Sequence, residues 1–194
     1  KQIIDGTSEL FSSLADMGVH VHYLGGETAD VGDVVRTVAV NGTMTARWPK
    51  NRLVTNEKIT PGDVIVGLSS SGKASYESDY NSGIGSNGLT SARHDMFSSY
   101  YSAKYPESHD PSLPSEVVYI GKHKLTDPVN VPGFNHVNAG KLVLSPTRTY
   151  APVIKEVLQD HFEAVHGLIH CSGGGQTKCL KYLPGPMKVI KDNL

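Results

Sequence analysis

The stretch "DVVRTVAVNGTMTAR", Asp33–Arg47, decides how the N-terminal part of the chain is read. Apolar and polar residues alternate along it and many are β-branched, the pattern of a half-buried strand. Asn41-Gly42 reads locally as a two-residue hairpin turn, yet the alternation on either side is equally that of one long strand. The two readings imply different architectures.

Upstream, Ile3, Ile4, Leu10, Phe11, Leu14 and Met17 recur at three-, four- and seven-residue intervals, which predicts a helix ending near Gly18. The chain begins inside that helical pattern and stops at "MKVIKDNL" without a clear closing element, so the expectation is a fragment of a longer protein. "VHVHYL", Val19–Leu24, alternates like a strand and runs into "GGETAD", Gly25–Asp30. Downstream, "PGDVIVGLSSSG", Pro61–Gly72, reads as a turn, an apolar strand and a small-residue loop. Residues 73–85 are polar and loop-like, and "SNGLTSARHDMF", Ser86–Phe97, enters a helix with Ser86 or Asn87 as cap.

Residues 100–140 are rich in Pro, His, Asn and Ser and carry one clear strand, "EVVYIG", Glu116–Gly121, so they read as a domain junction or long insertion. "SPTRTYAPVIKEVLQ", Ser145–Gln159, predicts an amphipathic helix capped at Ser145 with Pro146 at its first position. "VHGLIHCS", Val165–Ser172, reads as a strand and "GQTKCLKYL", Gly175–Leu183, as a helix, so the second half is α/β. No repeat with a solenoid period is visible.

Composition narrows the classes. The 194 residues are 38% hydrophobic and 19% charged, with a net charge of −1 and a pI near 6.8. That suffices for one large or two small globular domains and supplies no global field for nucleic acid or an anionic membrane. Any anion must therefore be held locally. Cys171 and Cys179 are eight apart, with neither a secretory pattern nor a membrane-length apolar run, so the expectation is a reduced, soluble, cytoplasmic protein whose cysteines are small buried hydrophobes rather than a disulfide.

Several loops carry possible chemistry. Ser69–Gly72 follows an apolar strand and can offer hydroxyls and backbone N–H groups to an anion, or be an ordinary strand-ending turn. It lacks the Lys-Ser/Thr of a Walker loop. The three glycines Gly173–Gly175 suit close backbone approach to a phosphate, or a tight strand-to-helix turn. Glu27 and Asp30 lie beside paired glycines, a setting that suits a hard cation such as Mg²⁺ as well as plain solvation. Arg148 falls in the first turn of the predicted helix, against the helix dipole, which fits an arginine that serves an anion, with a surface arginine as the alternative. His170, beside the glycine loop, is placed for general acid or base work or is a satisfied core histidine. His20 and His22 share a strand face but lack a third metal ligand.

Taken in order, "GGETAD", "GDVIVGLSSSG", "SNGLTSAR", "LSPTRTY" and "GLIHCSGGG" resemble the core of the aminoimidazole ribonucleotide synthetase, or phosphoribosylformylglycinamidine cyclo-ligase, family, colinearly across nearly the whole chain. The resemblance implies a two-domain α/β (α+β) fold in which the N-terminal domain contributes half of a dimeric β-barrel and the C-terminal domain is mixed α/β, both incomplete here. Residues 1–72 would be the later part of the ATP-binding and dimerisation domain and 73–194 the early part of the second, with insertions at about 73–85 and 100–140. Asp33–Arg47 would then be one long barrel strand.

The implied activity is ATP- and Mg²⁺-dependent cyclisation of formylglycinamidine ribonucleotide to aminoimidazole ribonucleotide through an iminophosphate. Residue by residue, Gly25, Gly26, Glu27, Thr28 and Asp30 would serve the nucleotide, with Glu27 and Asp30 at the metal. Ser70, Ser71 and Gly72, with Ser86, Asn87, Gly88, Thr147 and Arg148, would line the substrate and phosphate pocket, and Gly173, Gly174 and Gly175 would approach a phosphate. His170 and Arg148 are the catalytic candidates. The implied assembly is a cytoplasmic homodimer acting on a small molecule, with no nucleic acid or membrane.

Departures from the family pattern are definite. Residues 73–85 interrupt the usual run from Ser-Ser-Gly to Ser-Asn-Gly, and Gly85 stands where the family places a histidine, for which His94 or His170 are the available substitutes. The Asp-Gly-Val-Gly-Thr-Lys type motif is missing from the residues present, so the chain alone is expected to be inactive. Sister ATP-dependent enzymes (selenophosphate synthetase, thiamine monophosphate kinase, hydrogenase maturation proteins), a non-catalytic dimerisation or nucleotide-binding scaffold, and a histidine-rich metal binder are the alternatives.

Overall fold

A computed structural model describes residues 1–33, 35 and 38–192. The described residues hold five α-helices: α1 (Gln2–Asp16), α2 (Leu89–Met96), α3 (Tyr100–Lys104), α4 (Ala139–Val143) and α5 (Ala151–Asp160). Short 3₁₀ turns lie at Lys50–Arg52, Pro106–Ser108, Ser115–Val117 and Phe162–Ala164, with a longer 3₁₀ stretch at Gly175–Tyr182. The chain forms two compact units, one of Lys1–Ala29, Thr43–Ile65 and Thr149–Leu194, the other of Asp30–Gly42 and Val66–Arg148. No helix among the described residues is long and apolar enough to cross a membrane.

In the first unit, α1 ends where the sequence predicts. Gly18 adopts φ +73°, its N–H bonds the Ala15 carbonyl at 2.8 Å and the Val19 N–H bonds the Leu14 carbonyl at 2.8 Å, a Schellman arrangement that only glycine enters without strain. Lys155 Nζ of α5 donates to the Met17 carbonyl, an orphan at that helix end. Leu14 and Leu158 are buried. Arg52 Nη2 donates to the Leu158 carbonyl while its guanidinium lies 4.6 Å from the Phe162 ring centre. Asn56 Oδ1 accepts the Leu168 N–H at 2.9 Å and His166 Nδ1 lies 2.9 Å from Asp63 Oδ2.

The second unit has the denser core. Phe97, Val118, Tyr119, Ala139 and Val143 are buried together, with Ile84, Leu89, Met96, Tyr101 and Val129 against them. Three of the five buried residues come from the Pro- and His-rich segment 100–140, which therefore supplies packing rather than a bare connection.

The strands expected from alternation are not formed among the described residues. Among the described residues the pairing is that of the isolated bridges Gly72–Asn81, Phe97–His123, Pro128–Asn138 and Val131–Phe134, and these residues form no barrel. Within Asp33–Arg47, Val34, Arg36 and Thr37 lie outside the described residues; the remainder shows neither the hairpin at Asn41-Gly42 nor a long paired strand. "VHVHYL", "GDVIVGL" and "VHGLIHCS" likewise carry no ladder, and "EVVYIG" becomes a 3₁₀ turn leading into buried Val118 and Tyr119. The reason is visible in their side chains: Leu24 is 93% exposed, Val64 85%, Val38 81% and Val66 78%. Alternation specifies a strand only where an edge and a covering face are supplied, and among the described residues these side chains are given neither.

Helix starts also differ. The helix expected from Ser145 begins at Ala151 with Pro152 in its first turn, and Ser145 is instead a buried side chain. Neither Ser86 nor Asn87 caps α2, whose N-cap is Gly88 without a side-chain bond, and Gly175–Tyr182 is 3₁₀ rather than α.

Candidate functional site

Arg148 organises the second unit. Its Nε and Nη2 donate to Glu77 Oε1 and Oε2 at 2.7 and 2.6 Å, a bidentate pair. Nη1 donates to the carbonyls of Ser69 (2.7 Å) and Ser71 (3.2 Å), and Nη2 also donates to that of Gly72 (3.1 Å). A guanidinium has five N–H groups, and these contacts engage all of them. The side chain is only 6% exposed.

Segment 73–85 folds back onto the same loop. Gly72 and Asn81 exchange two backbone hydrogen bonds of 2.9 and 2.8 Å, and the Ala74 N–H donates to Glu77 Oε2. Asn81, 3% exposed, donates through Nδ2 to the Pro146 carbonyl and accepts the Gly83 N–H. Gly83 has φ +77°, and a Cβ there would come within 2.9 Å of Ser70 Oγ and 3.1 Å of its backbone carbon, so a side chain is excluded twice over. Ser145 Oγ accepts the Ser82 N–H at 3.1 Å and donates to the Lys141 carbonyl. Thr147 Oγ1 accepts the Ser86 N–H at 3.3 Å.

Ser70, Ser71, Gly72, Ser86, Thr147 and Arg148 are thereby joined, directly or through Asn81 and Gly83, with Asn87 and Gly88 continuing the chain from Ser86. Ser70, Ser71, Ser86, Asn87, Gly88 and Thr147 are exposed above the buried guanidinium. This arrangement presents hydroxyls and backbone N–H groups on a loop clamped from beneath. It differs from the expectation for Arg148 in two respects: the arginine is not in a helix, and its charge faces Glu77 and three carbonyls. The Arg148 hydrogen bonds, with the Ala74 N–H, hold the Glu77 carboxyl below the usual carboxylate range against the opposing effect of burial.

Glu77, Asn81, Ser82 and Ser145 escape sequence reasoning. A carboxylate in a polar loop has no periodicity to mark it, and the Glu77–Arg148 pair spans 71 positions.

The first unit holds the other candidates. His170 is exposed, so it is not a core histidine. Gly174 and Gly175 have φ +84° and +54°, yet nothing lies within 4 Å of a Cβ built at Gly175; their requirement for glycine is conformational rather than steric. The Thr177 hydroxyl donates to the Gly174 carbonyl at 2.6 Å. Gly25, Gly26, Glu27 and Thr28 are exposed, and no hydrogen bond or ion pair among the described residues joins them to His170 or Gly173–Gly175. Asp30, which belongs to the second unit, accepts the Gly32 N–H at 3.2 Å. Among the described residues no three His, Cys, Asp or Glu side chains gather as a metal cluster, and this includes His20 and His22. Cys171 is exposed and Cys179 half-buried, both free thiols, which corrects the expectation that they are buried.

Comparison with known proteins gives the clamped loops a context. No protein-family model matches the chain. It is 31% identical over 175 residues to the phosphoribosylformylglycinamidine cyclo-ligase of Methanocaldococcus jannaschii, an alignment covering 90% of this chain and 39% of that relative. The cyclo-ligases of Methanothermobacter thermautotrophicus (31% over 155 residues, 80% of this chain and 35% of the relative) and Pyrococcus furiosus (32% over 166 residues, 86% and 37%) are similar to the same degree. The chain belongs to the phosphoribosylformylglycinamidine cyclo-ligase family, whose members are ligases of purine biosynthesis. It spans well under half the length of these curated relatives.

Proposed function

We propose that this chain is part of an ATP- and Mg²⁺-dependent cyclo-ligase that closes formylglycinamidine ribonucleotide to aminoimidazole ribonucleotide, within a two-domain, cytoplasmic homodimer whose barrel is completed by a second copy. The observation that carries the reading is the convergence of Ser69–Gly72, Ser86 and Thr147, distant in sequence, around Arg148. A phosphorylated substrate needs fixed donors, and Arg148 holds the carbonyls of this loop in place.

In this reading Ser70, Ser71, Ser86, Asn87 and Gly88 hold the substrate phosphate. Thr147, whose oxygen accepts from Ser86, keeps its O–H as a donor toward ligand. Arg148 acts as a positioning residue: its N–H groups keep the carbonyls of Ser69, Ser71 and Gly72 turned inward, leaving the loop's opposite edge for an anion. ATP supplies the phosphoryl group that activates the formyl oxygen. Glu27 and Asp30 are exposed carboxylates near Gly25, Gly26 and Thr28 in sequence, each a hard oxygen donor of the kind that suits a Mg²⁺ ion held mainly by phosphate oxygens. Gly173–Gly175 supply a turn toward a phosphate, and exposed His170 is the group available to move a proton.

Titration of the chain with formylglycinamidine ribonucleotide, followed by amide NMR, tests the assignment. The expected outcome is saturable shifts at Ser70, Ser71, Ser86 and Thr147, absent with the unphosphorylated riboside. Equal response to both compounds, or none, would refute it. ATP bound without the ribonucleotide would favour a sister enzyme or a nucleotide-binding scaffold.

A further inference from the structure

A second group of basic side chains lies around Tyr119 in the second unit, and nothing in the reading above uses it. Arg93 and His94 occupy the later turns of α2, His109 follows the Pro106–Ser108 turn, and all three surround Tyr119. The His94 ring centre is 4.7 Å and the His109 ring centre 6.2 Å from that of Tyr119, with the Arg93 guanidinium 5.7 Å away. Tyr119 is 4% exposed and holds φ +50°, a left-handed conformation that an aromatic residue adopts only when its surroundings impose it. Its hydroxyl donates to Ser108 Oγ at 3.0 Å.

The hydrogen bonding of this cluster is incomplete in a specific way. His94, 7% exposed, accepts the Tyr119 N–H at Nδ1 (3.2 Å), which leaves the ring proton on Nε2. Nε2 faces Arg93 Nη2, also a donor, at 3.5 Å. With the tautomer reversed, the buried Tyr119 N–H would be the group facing a donor, so one mismatch persists in either form. Arg93 Nε is buried without a partner, as is His109 Nδ1. Nε and Nη2 form the same guanidinium edge that Arg148 gives to Glu77; on Arg93 no carboxylate meets it, Nε having no partner and Nη2 meeting only His94 Nε2 at 3.5 Å. The acidic residue closest to the group in effect, Asp95, is the weakest influence on His94 and accepts the Ser91 hydroxyl.

From this convergence of donors without acceptors we infer that Arg93, His94 and His109 form an oxyanion site for a phosphoryl group, distinct from the Ser86–Gly88 loop. Arg93 is five residues beyond Gly88, about 8 Å along the helix axis. A phosphoryl group offers acceptors to Arg93 Nε–H, to His94 Nε2–H and, in the tautomer that protonates it, to His109 Nδ1, and so relieves the donor mismatch. Arg93 and His109 are each half-buried, so the cluster borders solvent. The inference does not depend on the cyclo-ligase reading.

The test is titration of the whole chain with inorganic phosphate at constant ionic strength, following the histidine side-chain nitrogens and the Tyr119 amide by NMR, with chloride as the control. Saturable shifts at His94, His109 and Tyr119, at least tenfold weaker in Arg93→Gln, are expected. His109→Asn, at the half-buried edge, provides a second variant and should weaken binding several-fold while the α2 amides stay unperturbed without phosphate. Shifts confined to Ser70, Ser86 and Thr147 would assign phosphate to the other loop alone and overturn the site. Linear shifts, shifts matched by chloride, or binding unchanged in His109→Asn would overturn it as well.

Discussion

Arg148→Lys keeps the charge and removes the fork. A lysine offers three rotatable donors in place of five fixed ones, so it cannot hold Glu77 and three carbonyls together. Losing two or more of these hydrogen bonds while the charge pair stays is expected to cost about 2 kcal/mol, read as a lower urea midpoint for the second unit. An unchanged midpoint would contradict the clamp. Because the Glu77 pKa is lowered in the folded state, its contribution is complete above the unfolded value near 4.5 and is lost as pH falls through the folded value. Glu77→Gln should therefore remove part of the acid dependence of unfolding. His94 has the opposite chemistry but the same direction: burial first, then Arg93 and His109, depress its pKa below 6.5. Stability from neutral His94 is present above pH 6.5 and falls as pH drops below it, a slope that His94→Gln should flatten. At this scale local patterns single out the serines, glycines and Arg148 as candidates, but not Glu77, whose place beside Arg148 comes only from folding.

Elements show where local pattern suffices. The end of α1 was legible because a Schellman turn is built from adjacent residues, with Gly18 at the left-handed position. Gly18→Ala should destabilise the first unit by about 1 kcal/mol through that conformation, since the nearby Lys155 side chain can move aside. A thermal midpoint equal to wild type would show that the turn adapts. The start of α5 was misplaced because Ser145-Pro146 has the signature of a cap, whereas Ser145 is used by Ser82 and Lys141 and Pro152 opens the helix. The expected strands failed for a different reason: Val38, Val40, Val64 and Val66 have suitable residue types, but a ladder is a property of two edges.

Across the whole molecule, surface area carries the argument. Val38, Val40, Val64 and Val66 of the expected barrel strands are 81%, 65%, 85% and 78% exposed, which is why a second copy is placed against them in the proposed enzyme. Sedimentation equilibrium is expected to show self-association that Val64→Lys and Val66→Lys together abolish; a monomer at all concentrations would remove the dimeric part of the proposal. The motif order was legible in sequence because spacing survives divergence, while the strands expected from alternation find no ladder partner among the described residues.

One assay bears directly on the proposed activity. Residues 1–194 replace the matched segment of the Methanocaldococcus jannaschii cyclo-ligase, and the folded chimaera is given ATP, Mg²⁺ and formylglycinamidine ribonucleotide while ADP and aminoimidazole ribonucleotide are followed together. The account predicts equal appearance of both products, greatly reduced by Arg148→Lys. A folded chimaera that hydrolyses ATP without closing the ring, or that forms neither product, would contradict it.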